Sequence, residues 1–193
     1  MSTKKKNSLF NLTTTLLIIA GVAAFVLAEV YNVTLEPINQ AKVQKKQTAL
    51  KEVLPAFDNT TEVKLKSPDG TDSITMYIAT QGTDTVGYAF ETYTDKGFSG
   101  RFTFMVGFTP TGEIVNTKVL DQKETPGLGS KMTEDKFKNQ FNGKNPETYK
   151  LAVKKDMGDV DAITASTISS RAYCDGLNRA YTLVKPYLKG GAK

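Results

Sequence analysis

The sequence predicts an α+β domain, an antiparallel sheet flanked by helices, carried behind one N-terminal transmembrane helix. Three observations predict it. Residues 8–28 contain no charge, and about twenty helical residues at 1.5 Å each cover the ~30 Å hydrocarbon core of a bilayer. Five stretches between residues 62 and 120 alternate in hydropathy or are rich in β-branched and aromatic residues, with turn residues between them. A last segment carries apolar residues at three- and four-residue steps.

The first element is an apolar helix. Residues 16–28 are wholly apolar or Gly, and Lys4, Lys5 and Lys6 precede them. By the positive-inside rule the N-terminus stays cytoplasmic and the remainder is exported, with Tyr31 at the outer interface. A cleaved signal peptide is the rival reading, because Val26-Leu27-Ala28 ends in a small residue; a retained anchor is preferred from the length of the segment. Residues 36–57 then read as an amphipathic helix with Ile38, Ala41, Leu50, Val53, Leu54 and Phe57 on its apolar side. Pro55 should end it near Leu54, and Lys42, Lys45, Lys46 and Lys51 read as a solvated face. The expected organisation is a cytoplasmic N-terminus over residues 1–8, a transmembrane helix over 9–31, a connecting helix over 32–57 and an extracytoplasmic domain over 58–193.

Strands are expected over 62–66, 74–80, 86–93, 101–109 and 113–120. The links Pro68-Asp69-Gly70, Gly82-Thr83-Asp84, Asp95-Lys96-Gly97 and Pro110-Thr111-Gly112 are turn-like. Links so short imply antiparallel hairpins and exclude βαβ crossovers. Pro126-Gly127 fits the centre of a type II turn, and Gly129 lets a neighbouring backbone approach. Residues 132–141 suggest a short helix with Phe137 and Phe141 on one side, ended by Asn142-Gly143. Residues 149–153 suggest one more strand, leading through Met157-Gly158-Asp159 to the final helix. That helix carries Tyr173, Leu177, Ala180, Tyr181, Val184 and Leu188 as its buried stripe, with a kink at Pro186 and an end at Gly190-Gly191.

Composition narrows the chemistry. Of 193 residues none is His, which removes Ser-His-Asp and Cys-His catalysis and the commonest zinc ligand. Cys174 is the single cysteine, so the chain alone holds no disulfide and no iron–sulfur cluster; a buried helix face is its expected place. The net charge of +5 draws three charges from Lys4, Lys5 and Lys6. The remainder is nearly balanced and argues against nucleic acid as a partner. Any redox chemistry must arrive with a cofactor.

Two stretches stand out. Asp161-Ala162-Ile163-Thr164-Ala165-Ser166-Thr167-Ile168-Ser169-Ser170 has five hydroxyl residues in ten and leads directly into the last helix. A helix start offers free N–H groups and the positive end of the dipole to a phosphate. Ser and Thr also cap helices for purely local reasons, and on composition both readings stand. About forty residues earlier, Glu124-Thr125-Pro126-Gly127-Leu128-Gly129 presents backbone, a hydroxyl and an apolar side chain, suited to a flat ring with polar edges.

Together these stretches resemble the extracytoplasmic FMN-binding domain family. The segment Asp161 to Thr167 is similar to its Asp-x-x-Ser/Thr-Gly/Ala-Ala/Ser-Thr signal, and Glu124 to Gly129 resembles its second signature. Ala165 stands where Gly is usual, Ser166 where Ala is usual and Thr164 where Ser is usual. The anchor and the length resemble the G subunits of Rnf complexes, ion-translocating ferredoxin:NAD oxidoreductases of the bacterial inner membrane. The C subunits of sodium-translocating NADH:quinone reductases are the second reading, and a non-redox membrane-anchored scaffold the third. The resemblance implies an electron-transfer subunit without independent catalysis, carrying one covalent FMN on Thr167. It implies a flavin site built from Glu124, Thr125, Pro126, Gly127, Leu128 and Gly129 with Asp161, Thr164, Ala165, Ser166, Ile168, Ser169 and Ser170, in which Ser169 and Ser170 bond the phosphate. Implied partners are the membrane subunits A, D and E, the peripheral subunits B and C, a flavin transferase and membrane lipid.

Overall fold

The structure is a computed structural model that describes residues 8–68, 70 and 72–188. The Lys4–Lys6 cluster, Asp69 of the first hairpin and the Gly190-Gly191 pair lie outside the described residues. The chain divides into two units, residues 1–44 and 45–193.

In the first unit the chain is helical from Ser8, the start of α1 (Ser8–Val53). Its apolar part is long and apolar enough to cross a membrane, by length and composition, and is unburied within the chain. The two helical segments read separately from the sequence are one helix that runs through Pro37. Proline removes one backbone donor and crowds the preceding turn, yet the turns on either side remain helical. Thr13, Thr14, Thr15 and Thr34 return their hydroxyls to carbonyls four residues back, at 2.7–2.8 Å, which satisfies them without water.

The second unit is organised by the sheet. Among the described residues, β1 (Asn59–Lys66), β2 (Ser73–Gln81), β3 (Asp84–Thr94), β4 (Phe102–Phe108) and β5 (Ile114–Asp121) pair antiparallel in chain order. All five predicted strands are present, joined by hairpins as expected. Residues of alternating parity serve two cores. On one face Ile74, Met76, Phe90, Phe104, Val106 and Phe108 meet the final helix, α3 (Thr167–Val184). On the other, Tyr77, Ala79, Ala89, Met105 and Leu120 meet the end of α1 through Ala49, Leu50, Val53 and Leu54. Alternation places successive side chains on opposite faces, so one sheet can be covered twice.

Two expectations change here. The apolar side of the connecting helix is buried only from Ala49, while Ile38 and Ala41 are exposed. The lysine face is not wholly solvated. Lys46 Nζ lies 2.8 Å from a Glu91 carboxylate oxygen on β3, and Lys45 Nζ donates to the Leu120 carbonyl. Glu52 adds a pair to Lys118 at 2.8 Å. Charges from the helix thus meet the sheet where its hydrophobic seam ends, as long side chains do when their stems cover apolar surface.

Beyond the sheet, residues 129–133 form a 3-10 turn and α2 (Asp135–Lys138) a single helical turn, shorter than the helix expected over 132–141. Phe137 and Phe141 are buried as expected. The strand expected over 149–153 is absent; only an isolated bridge joins Val153 to Val160. Its apolar residues, Leu151 and Val153, are buried in the same core as Tyr173 and Leu177, without a strand ladder. In α3, Tyr173, Leu177, Ala180 and Val184 are buried and Tyr181 is half-buried; the α-helix ends at Val184, so Leu188, also half-buried, lies beyond it. A 3-10 turn over residues 185–187 follows at Pro186.

Cys174 is buried on α3, as its position suggests. Burial pushes its thiol from an ordinary 9.0 up to about 12. Thiolate is the reactive form, so at pH 8 the folded chain should resist maleimide, and unfolded chain should label rapidly. The folded thiol holds its proton more tightly than the unfolded one. Its contribution to stability is therefore complete at neutral pH and is lost as pH rises through about 9 toward 12. Rapid labelling of the native chain would contradict this.

Candidate functional site

The start of α3 and the loop after β5 meet in one cleft of about 320 Å³. Phe98, Glu124, Thr125, Leu128, Gly129, Ala165, Ser166, Thr167, Ile168 and Ser169 line it. The two stretches singled out in the sequence, some forty residues apart, are therefore neighbours in space.

The loop is built as its residues dictate. Gly127 has φ +75° and the Leu128 N–H reaches the Thr125 carbonyl at 3.1 Å, closing the type II turn that Pro126-Gly127 predicts. The Gly127 N–H is also held by Ser130 Oγ at 2.9 Å. Gly129 is a position of close approach. A Cβ there would stand 2.4 Å from a Glu124 carboxylate oxygen and 2.7 Å from Ser169 Oγ. Only hydrogen fits between the loop and the helix.

Glu124 joins three segments. Its side chain is buried; Oε2 accepts the Ser169 hydroxyl at 2.7 Å, and Oε1 accepts the Ser99 N–H at 3.0 Å. The β3–β4 connection, the loop after β5 and the first turn of α3 are tied by one carboxylate. Buried polar groups persist when bonded, and bonds to a carboxylate are the stronger kind.

The helix start follows from Ala165. This residue has φ +60°, an arrangement that favours glycine and strains an L-side chain. The chain turns there, with the Ser166 N–H bonded to the Ile163 carbonyl at 2.9 Å, and α3 begins at Thr167. Ser166 occupies the cap position without a side-chain capping bond. The N–H groups of Thr167, Ile168 and Ser169 are those that an α-helix leaves without intrahelical acceptors.

The implied site residues separate in space. Nine of them line the cleft. Pro126 and Gly127 shape the loop from outside it. Asp161 and Thr164 face a different hollow, shared with Lys131, Lys136 and Gln140, and Asp161 pairs with Lys154 at 2.7 Å. Two of the hydroxyls have partners within the chain. Ser170 turns inward: its hydroxyl donates to the Ser166 carbonyl at 2.9 Å and accepts the Ile163 N–H at 2.9 Å, bracing the turn. The Ser169 proton is directed at Glu124. Both hydroxyls thus donate to partners within the chain.

Phe98 was not expected. Its aromatic side chain is 67% exposed in the turn Gly97-Phe98-Ser99-Gly100 and lines the cleft. A large aromatic between glycines in a hairpin connection was the available signal, since a turn needs no such residue. The residues present fit a phosphate-bearing flat ring. Open N–H groups and a hydroxyl lie at the helix start, no side-chain cap competes for them, and Phe98, Leu128 and Ile168 supply apolar wall.

Two variants test this construction. Glu124→Gln offers a donor where both partners donate, and should cost about 1–3 kcal/mol of stability; urea unfolding of the full chain in detergent measures it, and an unchanged midpoint would remove Glu124 from this role. Ala165→Gly should be stabilising. Relief of about 1–2 kcal/mol of left-handed strain, less about 0.4–1 kcal/mol of added unfolded-chain entropy, leaves a gain of roughly up to 1.6 kcal/mol, read as a raised midpoint.

The chain is similar to known proteins over most of its length. The FMN-binding domain family matches residues 97–182. The G subunit of the proton-translocating ferredoxin:NAD(+) oxidoreductase complex of Clostridium ljungdahlii is 28% identical over 190 residues, covering 97% of each chain. The G subunit of the Na(+)-translocating ferredoxin:NAD(+) oxidoreductase complex of Acetobacterium woodii is 30% identical, covering 92% of this chain and 95% of that one. The G subunit of the ion-translocating oxidoreductase complex of Shewanella baltica is 33% identical, covering 86% and 84%. The crystal structure of the C subunit of the Na(+)-translocating NADH-quinone reductase of Parabacteroides distasonis shares the fold, with TM-score 0.51 at 20% identity over 74% of this chain and 82% of that one. The identity and near full-length coverage place the protein: it belongs to the family of G subunits of ion-translocating oxidoreductase complexes.

Proposed function

We propose that this chain is the electron-carrying G subunit of a membrane-bound, Rnf-type ferredoxin:NAD oxidoreductase, and that it holds one FMN joined through its phosphate to Thr167 Oγ. The observation behind the attachment point is the disposition of five hydroxyls at the helix start. Ser169 and Ser170 are bonded within the chain, Thr164 faces the other hollow, and Ser166 is buried at the cap. Thr167, half-buried at the first helical position, lines the cleft with its hydroxyl uncommitted to any capping bond.

FMN, when bound, supplies the redox chemistry by taking up and releasing electrons. The chain's own residues do the rest. The N–H groups of Thr167, Ile168 and Ser169 and the dipole of α3 favour the singly charged phosphodiester. Phe98, Leu128 and Ile168 offer apolar surface to the ring, and Glu124 keeps loop and helix at one separation. With no His in the chain, proton movement would use water or carboxylates, so relay of electrons fits the site better than substrate chemistry. A covalent tether retains the flavin outside the cytoplasm, where no pool replaces it.

The helix α1 would hold the domain at the membrane as a single pass. Lys4, Lys5 and Lys6 ahead of an uncharged run favour a cytoplasmic N-terminus and an extracytoplasmic FMN-binding domain. The relatives are named as subunits of multisubunit complexes, so the partners on this reading are the other Rnf subunits, with a flavin transferase acting on Thr167.

Intact mass tests the reading. Coexpressed with a flavin transferase, the full chain should gain the mass of FMN less one water and fluoresce as a band on a denaturing gel. Thr167→Ala should lose both and keep its unfolding midpoint. A native chain without the adduct, or an adduct that survives Thr167→Ala, would sink the assignment.

A further inference from the structure

Two side chains that do not line the cleft hold the segment leading into α3. Gln140, just after α2, lines the other hollow with Asp161 and Thr164. Its amide meets both backbone groups of Asp161: Oε1 accepts the N–H at 2.8 Å, and Nε2 donates to the carbonyl at 3.3 Å. Nε2 also donates to the Phe137 carbonyl at 2.9 Å, which fixes the amide to α2.

Two residues further on, Ile163 is held as fully. Its N–H donates to Ser170 Oγ at 2.9 Å, its carbonyl accepts the Ser166 N–H at 2.9 Å, and Ser170 Oγ donates to the Ser166 carbonyl at 2.9 Å. These bonds close a ring through Ile163, Ser166 and Ser170, and the Ile163 side chain is buried. With the backbone fixed at 161 and 163, the change of direction falls on Thr164 and Ala165. Among the described residues only Met157 and Ala165 combine a side chain with a positive φ. Such a conformation persists where the surrounding bonds enforce it. Thr167 follows Ala165 by two residues.

We propose that Gln140 and Ser170 are positioning residues for the modification of Thr167. By fixing the backbone at Asp161 and Ile163 they hold Ala165 in its left-handed turn, and so keep Thr167 presented as an acceptor. The proposal rests on the reading of Thr167 as the FMN attachment residue. In that reaction Thr167 Oγ bonds to the phosphorus of the FMN half of a flavin dinucleotide brought by the transferase. The pyrophosphate P–O bond breaks, and the hydroxyl proton leaves with the nucleoside monophosphate. An acceptor already in position does not have to be ordered during the reaction. Gln140 lines the other hollow and not the cleft, so its effect is separable from any contact with the phosphate.

The experiment uses the full chain in detergent, produced without the transferase and then mixed with transferase and flavin dinucleotide. Intact mass is followed in time, well below every variant's unfolding midpoint. Gln140→Ala and Ser170→Ala should each gain FMN about 5- to 30-fold more slowly than the native chain, the factor by which a lost buried hydrogen bond shifts a conformational balance. Gln140→Glu keeps an acceptor for the Asp161 N–H and should react faster than Gln140→Ala. Ala165→Gly, added to either alanine variant, should restore most of the rate, because glycine adopts the turn without strain. Tyr88→Phe, which loses a bond to the Tyr187 carbonyl, should react at the native rate although it too lacks a hydrogen bond. If Ser170→Ala does not fold, Ser170→Cys keeps the bulk with a weakly bonding thiol and carries the same expectation, as Gln140→Ala does independently. Native rates in the Gln140 and Ser170 variants would overturn the proposal. Slow rates that Ala165→Gly fails to restore would overturn it too, returning Ser170 to a direct contact with the phosphate. A native chain that gains no FMN, or an adduct that survives Thr167→Ala, would instead overturn the reading of Thr167, and this inference with it.

Discussion

The stack of Tyr173 on Phe104 is the contact on which the arrangement of this domain depends. The two rings lie 4.4 Å apart and 11° from parallel, with Phe141 on Tyr173 at 5.5 Å and Phe137 edge-on at 5.2 Å. Tyr173 is wholly buried, and burial raises its hydroxyl above the ordinary tyrosine range. The helix comes this close because it carries Gly176, where a Cβ would stand 2.6 Å from the Phe104 ring. Its backbone is then bonded to the sheet, Thr92 Oγ1 donating to the Gly176 carbonyl at 3.0 Å. A helix seated so firmly at its middle has a fixed start. Thr167 lies less than two turns from Tyr173 along α3, so the sheet sets where the start of α3, and Thr167 with it, is placed.

What the helix start meets is equally constrained. The loop after β5 leaves the sheet at Asp121 and arrives at the helix three residues later with Glu124. There a single carboxylate accepts one bond from each neighbour, and Gly129 leaves no space between loop and helix. The opposite face of the sheet is held by the end of α1, whose Lys45 reaches the carbonyl of Leu120 just before that loop. Packing from both faces thus converges on the segment that carries Glu124. The site is rigid for reasons distributed over the whole unit, which suits a group that must hold a cofactor at one distance from its electron partners.

Much of the fold was legible because it rests on local rules. Alternation in 74–80 and the turn residues at Gly82 and Gly112 specify hairpins without reference to anything distant. Pro126-Gly127 could hardly form another turn. The misreadings have a common cause in context. The membrane segment and the amphipathic stretch after it read as two helices, yet one helix runs through both, Pro37 included. Residues 149–153 have the composition of a strand but no edge to pair with. Lys45 and Lys46 look like any solvated lysines until the sheet places a carbonyl and Glu91 beside them.

By itself the sequence determined the element types, the membrane-length helix, the hairpin order and the two signature stretches, because hydropathy period, turn chemistry and helix starts are local properties. The strain at Ala165 came only with the structure, which sets it at φ +60°, a conformation that the family's usual glycine would adopt freely. Only the tertiary structure showed which hydroxyls at the helix start are bonded within the chain. Ser169 and Ser170 differ from Thr167 in no local respect; they are distinguished by Glu124 on a distant loop and by the Ile163 backbone folding over the helix start. Phe98 likewise became part of the site only when a carboxylate 26 residues further along the chain drew its turn to the helix. Side-chain roles of this kind depend on contacts between segments, and hydropathy patterns carry no record of those contacts.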